Sequence, residues 1–306
     1  MTLSPGKVVA PTLFSFSCTE TLAEACAAQL KTGLHLITTR RFPDGESLVT
    51  VPAKASGTGI VFCSLDRPNE KLVELLLAAD ALRRQGVSQL TLVAPYLGYM
   101  RQDRVFHQGE PISQRVVAKM LDSAFDDVIT VEAHLHRISS LSEVFSVRAE
   151  SVSAAAPIAD WLNQTSSRGL IVGPDSESEP WIKSIAERCS LPFVVASKTR
   201  HGDQYVDIDL PETPADESQA WIIDDIASSG ATLETLASRL TDRGFSQVGA
   251  VVVHALFSPE TLERLNRAGI TSVVSTDSIR HPTNGVSIAP LLADVIRRHL
   301  HTPEFS

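Results

Sequence analysis

Short apolar runs alternate with longer amphipathic stretches along most of the chain, and this alternation restricts the fold more than any other feature. Apolar runs of strand length fall at Leu34–Thr38, Ile60–Cys63, Leu90–Ala94, Val128–Val131, Leu170–Val172, Phe193–Ala196, Trp221–Ile223, Val248–Val253 and Ser272–Ser275. Helical periodicity occupies Asn69–Gln85, Ser113–Ala124, Pro180–Cys189, Leu233–Arg243 and Ser258–Ala268. Strands that take turns with helices predict an α/β fold with mainly parallel sheets. The 306 residues allow two ordinary domains, and a hydrophobic share of 43% is ample for their cores. Gly59–Asp66 resembles Gly169–Asp175, and the strand–loop–helix around Pro95 has a counterpart around Asp224. The echo predicts two similar domains, 1–147 and 148–306, joined near Val147–Ala156, where Ser and Ala dominate. The last helix is free to pack back on the first domain.

A net charge of −9 argues against a general nucleic-acid binder, so any polyanion must meet a local basic pocket. No apolar run approaches the roughly 20 residues that span a bilayer, which predicts no membrane partner. Met1–Ser15 lacks a basic segment followed by a long apolar core, so no secretory signal is expected. Cys18, Cys26, Cys63 and Cys189 are scattered without metal-ligand spacing, as expected of reduced thiols in a cytoplasmic protein. Pro211–Gln219 is polar and reads as a surface loop.

The densest chemistry lies in Trp221-Ile-Ile-Asp-Asp-Ile-Ala-Ser-Ser-Gly-Ala-Thr-Leu233. Three apolar residues predict a short buried strand, and Asp224 and Asp225 stand at its carboxyl end. Ser228, Ser229, Gly230, Ala231 and Thr232 then lead into a helix expected near Leu233. Small side chains let backbone N–H groups approach an anion, and a helix N-terminus adds positive potential. The aspartates would repel a phosphate but suit sugar hydroxyls or a magnesium ion. A pentose 5-phosphate satisfies both halves. The plainer reading is a polar turn with Ser228 as helix cap.

Other motifs are less specific singly. Pro95–Arg104 follows a buried strand, where ligands bind in open α/β sheets. There Arg101 can clamp phosphate or stack on a base, and Gln102 can read a polar edge. A surface loop with an Arg–Asp pair is the alternative. Arg40–Glu46, taken alone, reads as a Pro-Asp-Gly turn, although Phe42 offers a stacking face and Asp44 and Glu46 can accept hydrogen bonds. In Val131–His136, alternation places Glu132, His134 and His136 on one side if the chain stays extended. Ala196–Asp203 is expected as a strand ending in two cations, Lys198 and Arg200, with a polar loop after them.

Arg41–Glu46, Asn69–Arg84, Pro95–Arg104, Pro111–Leu121 and Asp224–Thr232 stand in the order and spacing of the ribose-phosphate diphosphokinases, and the chain resembles that family from Phe42 to Arg298. The resemblance implies two domains related to the type I phosphoribosyltransferase fold. It implies diphosphoryl transfer from Mg-ATP to ribose 5-phosphate. It places ATP on Phe42, Asp44, Gly45, Glu46, Arg101, Gln102 and His134, and magnesium on His134 and Asp175. Lys198 and Arg200 align with the catalytic pair, and Arg200, Asp224, Asp225 and Ser228–Thr232 with the ribose 5-phosphate site. Departures are Ser228 for Asp, Ala231 for Gly, Glu132 for Asp and His136 for Glu. Ser176–Trp181 lacks the Gly-Gly of the bacterial hexameric group, which brings the chain nearer the archaeal type and predicts a homodimer or higher homo-oligomer, with an assembly smaller than a hexamer, such as a dimer, expected. A phosphoribosyltransferase would share the Asp224 loop, and a non-catalytic regulatory homologue is the other alternative.

Overall fold

The computed structural model describes residues 11–52, 55–135, 137–165, 168–201, 205–213 and 218–301, the side chains of 198–201 and 205–207 excepted. The chain forms two compact units. One comprises Met1–Val152 together with Ala289–Ser306, and the other Ser153–Ile288.

In chain order the N-terminal unit contains β1 (Thr12–Ser15), α1 (Glu20–Leu30), β2 (Leu34–Leu36), β3 (Thr38–Arg41), β4 (Ser47–Thr50), β5 (Gly57–Phe62), α2 (Pro68–Arg84), β6 (Val87–Ala94), α3 (Ser113–Asp122), β7 (Asp127–Val131) and β8 (Arg148–Val152). Its sheet runs β2-β1-β5-β6-β7-β8, with every pairing parallel. Parallel strands covered on both faces carry continuous apolar runs, as Leu90–Ala94 and Val128–Val131 do. The core around them includes Phe14, Val61, Leu75, Leu82, Leu92, Leu121 and Phe125. β3 and β4 form a separate antiparallel hairpin.

The second unit contains α4 (Ala155–Thr165), β9 (Leu170–Gly173), α5 (Glu179–Cys189), β10 (Phe193–Val195), β11 (Ser197–His201), β12 (Tyr205–Asp209), β13 (Gln219–Ala227), α6 (Ala231–Asp242), β14 (Gln247–Ala255), α7 (Pro259–Arg267), β15 (Ile270–Thr276) and β16 (Asn284–Val286). Its sheet is also all parallel, in the order β10-β9-β13-β14-β15-β16. Trp221 pairs with Gly249 across β13 and β14, and a Cβ at Gly249 would fall 2.2 Å from the indole, so only glycine fits opposite the tryptophan. α8 (Ala289–His301) then returns to the N-terminal unit. There Ala289, Leu292, Ala293, Val295 and Ile296 are buried and the helix packs on α1.

Counted along the chain, both sheets have the order 2-1-3-4-5-6. The order reverses between the first and third strands, β1 and β5 in one unit and β9 and β13 in the other. β9 therefore corresponds to β1, and β13 to β5. This corrects the sequence echo, which pairs Gly59–Asp66 with Gly169–Asp175 and Pro95 with Asp224. Any strand followed by a turn matches any other, so the echo carries no order.

Three further expectations change. The strand at Trp221 does not stop at Ile223. It runs to Ala227, because β14 offers a ladder as far as Ala255. The helix after it starts at Ala231, not Leu233. Lys198 and Arg200 are not at a strand end but within β11, which pairs antiparallel with β12. Among the described residues, no helix is long and apolar enough to cross a membrane.

Candidate active site

In the C-terminal unit, β9 pairs with β13 only as far as Val172↔Ile222. Beyond that point β13 continues along β14 alone, and Asp224 and Asp225 lie on this extension. Asp175 follows the end of β9, in the crevice where open α/β sheets bind ligands. Its Oδ1 accepts the backbone N–H groups of Glu177 and Ser178, each at 3.2 Å, which fixes the carboxylate at the turn into α5.

Asp225 and Asp175 both bear on Asp224. Asp224 is half-buried, and lost hydration is the largest influence on it. The charge of Asp225, a hydrogen bond with Asp225 and the charge of Asp175 act in the same direction. Together they hold the Asp224 carboxyl well above the ordinary carboxylate range. Such a group gains from a cation or from hydroxyl donors.

Ser228 and Ser229 are exposed beyond β13, and Gly230 turns the chain into α6 with φ 77°. A side chain at Gly230 would be strained by that φ and would lie 2.7 Å from Thr261 of α7. Ser229 Oγ accepts from Ala231 N at 3.4 Å. Gly230 has no side chain to cap the helix, so the first turn of α6 presents backbone N–H groups at the positive end of its dipole. Ala231 is the first helical residue, a position where alanine costs nothing. One residue that braces this loop is not legible in the motif. Arg264 of α7 donates through Nη2 to Ser229 O at 2.5 Å and through Nε to Glu234 at 2.9 Å, bracing the loop from 35 residues away.

In the N-terminal unit, Phe42, Asp44, Gly45 and Glu46 form the exposed turn of the β3–β4 hairpin. Phe42 N donates to Glu46 O at 2.8 Å, Glu46 N to Asp44 Oδ1 at 3.2 Å, and Gly45 supplies φ 95°. The Arg40 guanidinium lies 5.3 Å from the Phe42 ring centroid. Arg41 grips Glu70 of α2 through two bonds of 2.8 and 2.6 Å. Arg101 is exposed on the loop after β6. Gln102 is half-buried, its side-chain oxygen accepts from Ser113 Oγ, and its backbone carbonyl accepts from Gln114 N at 3.2 Å, so it also holds the start of α3. Among the described residues no hydrogen bond or ion pair joins the hairpin to Arg101 or Gln102.

His134 is half-buried after β7. The alternation argument for its neighbours fails, because β7 ends at Val131 and Glu132 has φ 37°. Glu132 N instead donates to Val152 O at 2.9 Å and Ala133 N to Ser151 Oγ at 2.9 Å, turning the chain out of the strand. His136, Gly202 and Asp203 lie outside the described residues. For Lys198 and Arg200 the description extends to the backbone, where they face Ile208 and Val206 of β12.

Residues 11–124 match the family described as the N-terminal domain of ribose phosphate pyrophosphokinase. Residues 147–288 match the phosphoribosyl transferase domain. The ribose-phosphate pyrophosphokinase of Methanopyrus kandleri is 32% identical over 278 residues, 90% of this chain and 94% of that one. The Halobacterium salinarum enzyme of the same name is 32% identical over 93% of this chain and 100% of its own length. Phosphoribosylpyrophosphate synthetase from Mycobacterium smegmatis superposes with a TM-score of 0.82 at 26% identity, covering 95% of this chain and 99% of that one.

Proposed function

The chain belongs to the ribose-phosphate pyrophosphokinase family, and from that membership we propose how its residues divide the work of the reaction. The β,γ-diphosphoryl group of ATP passes to the anomeric hydroxyl of ribose 5-phosphate, giving phosphoribosyl diphosphate and AMP. The observation that carries the reading is Asp224 under the joint influence of Asp225 and Asp175 at the strand reversal, ahead of a helix N-terminus that follows Gly230 without a side-chain cap.

Ser228–Thr232 bind the 5-phosphate through backbone N–H groups and hydroxyls. Asp224 and Asp225 accept hydrogen bonds from the ribose hydroxyls and so orient the attacking oxygen. Phe42, Asp44, Gly45 and Glu46, with Arg101 and Gln102, receive the nucleotide. Lys198 and Arg200 supply positive charge to the transferring group, with Arg200 also reaching ribose 5-phosphate. Positioning and charge compensation then supply most of the rate.

Several negative charges must converge on a chain of net charge −9, so a cation is needed. Among the described residues no group of three or more His, Cys, Asp or Glu is placed to hold a metal ion by itself. Magnesium needs only one or two protein carboxylates, and Asp175 with the neighbouring Asp224 would supply them. Magnesium, when bound, neutralises charge on phosphate oxygens. Of the proposed ligands, Asp175 supplies the hard oxygen, while the His134 imidazole suits magnesium less well. We place the enzyme in the cytoplasm as a homodimer, with the N-terminal unit carrying the ATP motifs. Light scattering that gave a hexamer at assay concentration would overturn the dimer.

Phosphorus NMR of protein, magnesium, ATP and ribose 5-phosphate tests the chemistry. AMP and a ribose-linked diphosphate are expected, dependent on both substrates. ADP with a bisphosphorylated sugar would mean attack at the γ-phosphorus and would refute the assignment.

A further inference from the structure

The strand reversal of the C-terminal unit holds carboxylates. The matching position in the N-terminal unit, between β1 and β5, holds two thiols. Cys18 lies in the short turn Ser17–Thr19 that leads into α1 and is half-buried, whereas Cys63 follows β5 and is 1% exposed. Cys18 packs against the core cluster that contains Cys63, and the Cys63 thiol donates to Ser64 O at 4.0 Å. Their approach is fixed by backbone. Ser15 and Phe62 are register partners in adjacent strands. The Phe62 carbonyl accepts from Phe16 N at 3.2 Å and from Thr19 Oγ1 at 2.9 Å, tying the turn that carries Cys18 to the residue preceding Cys63. Cys63 N is itself held by Val93 O at 3.0 Å.

The charges around the pair separate the two sulfurs. The hydrogen bond from Cys63 does most to favour a thiolate at Cys18. Burial opposes it, the Lys71 ammonium favours it, Asp66 opposes it, and Thr19 adds a further hydrogen bond. The net effect lowers Cys18 from the usual thiol value to about 6. Cys63 is held well above its ordinary value by the neighbouring Cys18 sulfur and by burial. Lys71 is fixed in place by Asp66 Oδ1 at 2.6 Å and Ser64 O at 2.8 Å. The other two cysteines differ. Cys26 is buried and donates to Ala289 O, while Cys189 donates to Ala159 O and is pushed up by burial and by Asp160.

We propose that Cys18 and Cys63 are a reactive dithiol that exchanges with small-molecule disulfides and closes into an intramolecular disulfide. The Cys18 thiolate attacks one sulfur of the small disulfide, whose S–S bond breaks and releases one thiolate. Cys63 then gives its proton to that thiolate and attacks Cys18 Sγ, forming the protein disulfide and expelling the second small thiol. Two protein thiols are oxidised by two electrons, and one small disulfide is reduced to two thiols. The accessible thiolate attacks and the buried thiol resolves, the division expected of such pairs. The disulfide would form at the root of the Arg101 loop, since Leu65 N donates to Tyr96 O at 2.8 Å and Tyr96 N to Ser64 Oγ at 3.2 Å. The proposal is independent of the assigned reaction.

The test is incubation of the full-length reduced protein with oxidised glutathione, followed by alkylation and peptide mapping without reductant. A linked Cys18–Cys63 peptide is expected, reversed by dithiothreitol, with Cys26 and Cys189 still alkylated. The alkylation rate of Cys18 against pH should reach half-maximum near 6. In Cys63→Ala this midpoint should rise by about one pH unit or more, and glutathione should stay on Cys18 as a stable mixed disulfide. Glutathione on Cys26 or Cys189 in preference to Cys18 would overturn the proposal. So would a Cys18 midpoint near the ordinary thiol value of about 8.5. If the variant fails to fold, peptide mapping of the wild-type chain decides.

Discussion

Asp224 is poorly placed for a protein without its ligand, because folding takes its carboxylate out of water and sets it beside two others. Asp224→Asn removes that charge and should raise the melting temperature of the ligand-free protein at neutral pH, by about 2–4 °C per kcal/mol relieved, while activity falls. The sign follows from the raised native pKa. The penalty is full above that value, shrinks as pH falls through it, and vanishes once the unfolded carboxyl is also protonated, near 3.9. The variant's advantage should therefore disappear on acidification, and scanning calorimetry from pH 8 to 4 checks it. An advantage that grew with acid would contradict the charge argument. Gly230→Ala meets both a positive φ and the Thr261 methyl at 2.7 Å. Left-handed backbone costs about 1–2 kcal/mol and overpacking about 1–3, so stability and ribose 5-phosphate binding should fall together, as calorimetric titration would show. These residues are legible in sequence because their chemistry is local, with acids, small residues and a helix start following one another. The Cys18–Cys63 pair is not, since only the strand order brings positions 45 apart into contact.

At the scale of elements, β13 and α6 are the parts where reading and structure diverge most usefully. Aspartates are poor strand formers, so the sequence suggests a strand ending before Asp224. The ladder of β14 overrides that preference and carries both carboxylates on a rigid strand instead of a loop. A site on regular structure is held more precisely than one on a flexible connection. The loop before α6 is braced in turn by α7 through Arg264. Arg264→Ala removes a guanidinium–carbonyl bond worth ~1 kcal/mol. KM for ribose 5-phosphate should rise about fivefold with kcat and the KM for ATP nearly unchanged, measured by initial rates. The hairpin β3–β4 escapes the apolar pattern because β3 is wholly polar, β4 has only Leu48 and Val49 as apolar residues, and the hairpin's fixed partners, Glu70 and Glu74, belong to α2. The alanine-rich α1 escapes it because its buried face is made of small side chains.

At the scale of the molecule, the end of the chain belongs to its beginning. α8 reaches the N-terminal unit through the Cys26–Ala289 contact, Arg297 to Gln29 O at 2.7 Å, and Arg298 and His299 on Glu150 at 2.8 and 2.7 Å. Burial of Leu292, Val295 and Ile296 is worth about 1.5–3 kcal/mol each, a sum comparable with the whole stability of a domain. Deletion of Ala289–His301 should therefore leave the N-terminal unit unfolded while far-ultraviolet dichroism shows whether the second unit persists. Limited proteolysis that found the first unit still resistant would refute this. The same return sets a schedule for synthesis. A ribosome adds on the order of ten residues per second, so the stretch Ser153–Ile288 keeps α8 waiting for on the order of ten seconds after β8 is made. Throughout that interval α1 lacks the helix that packs on it at Cys26. The first half of the protein to be born is thus the last to be finished, and a holding chaperone or a slow codon would act on that open face.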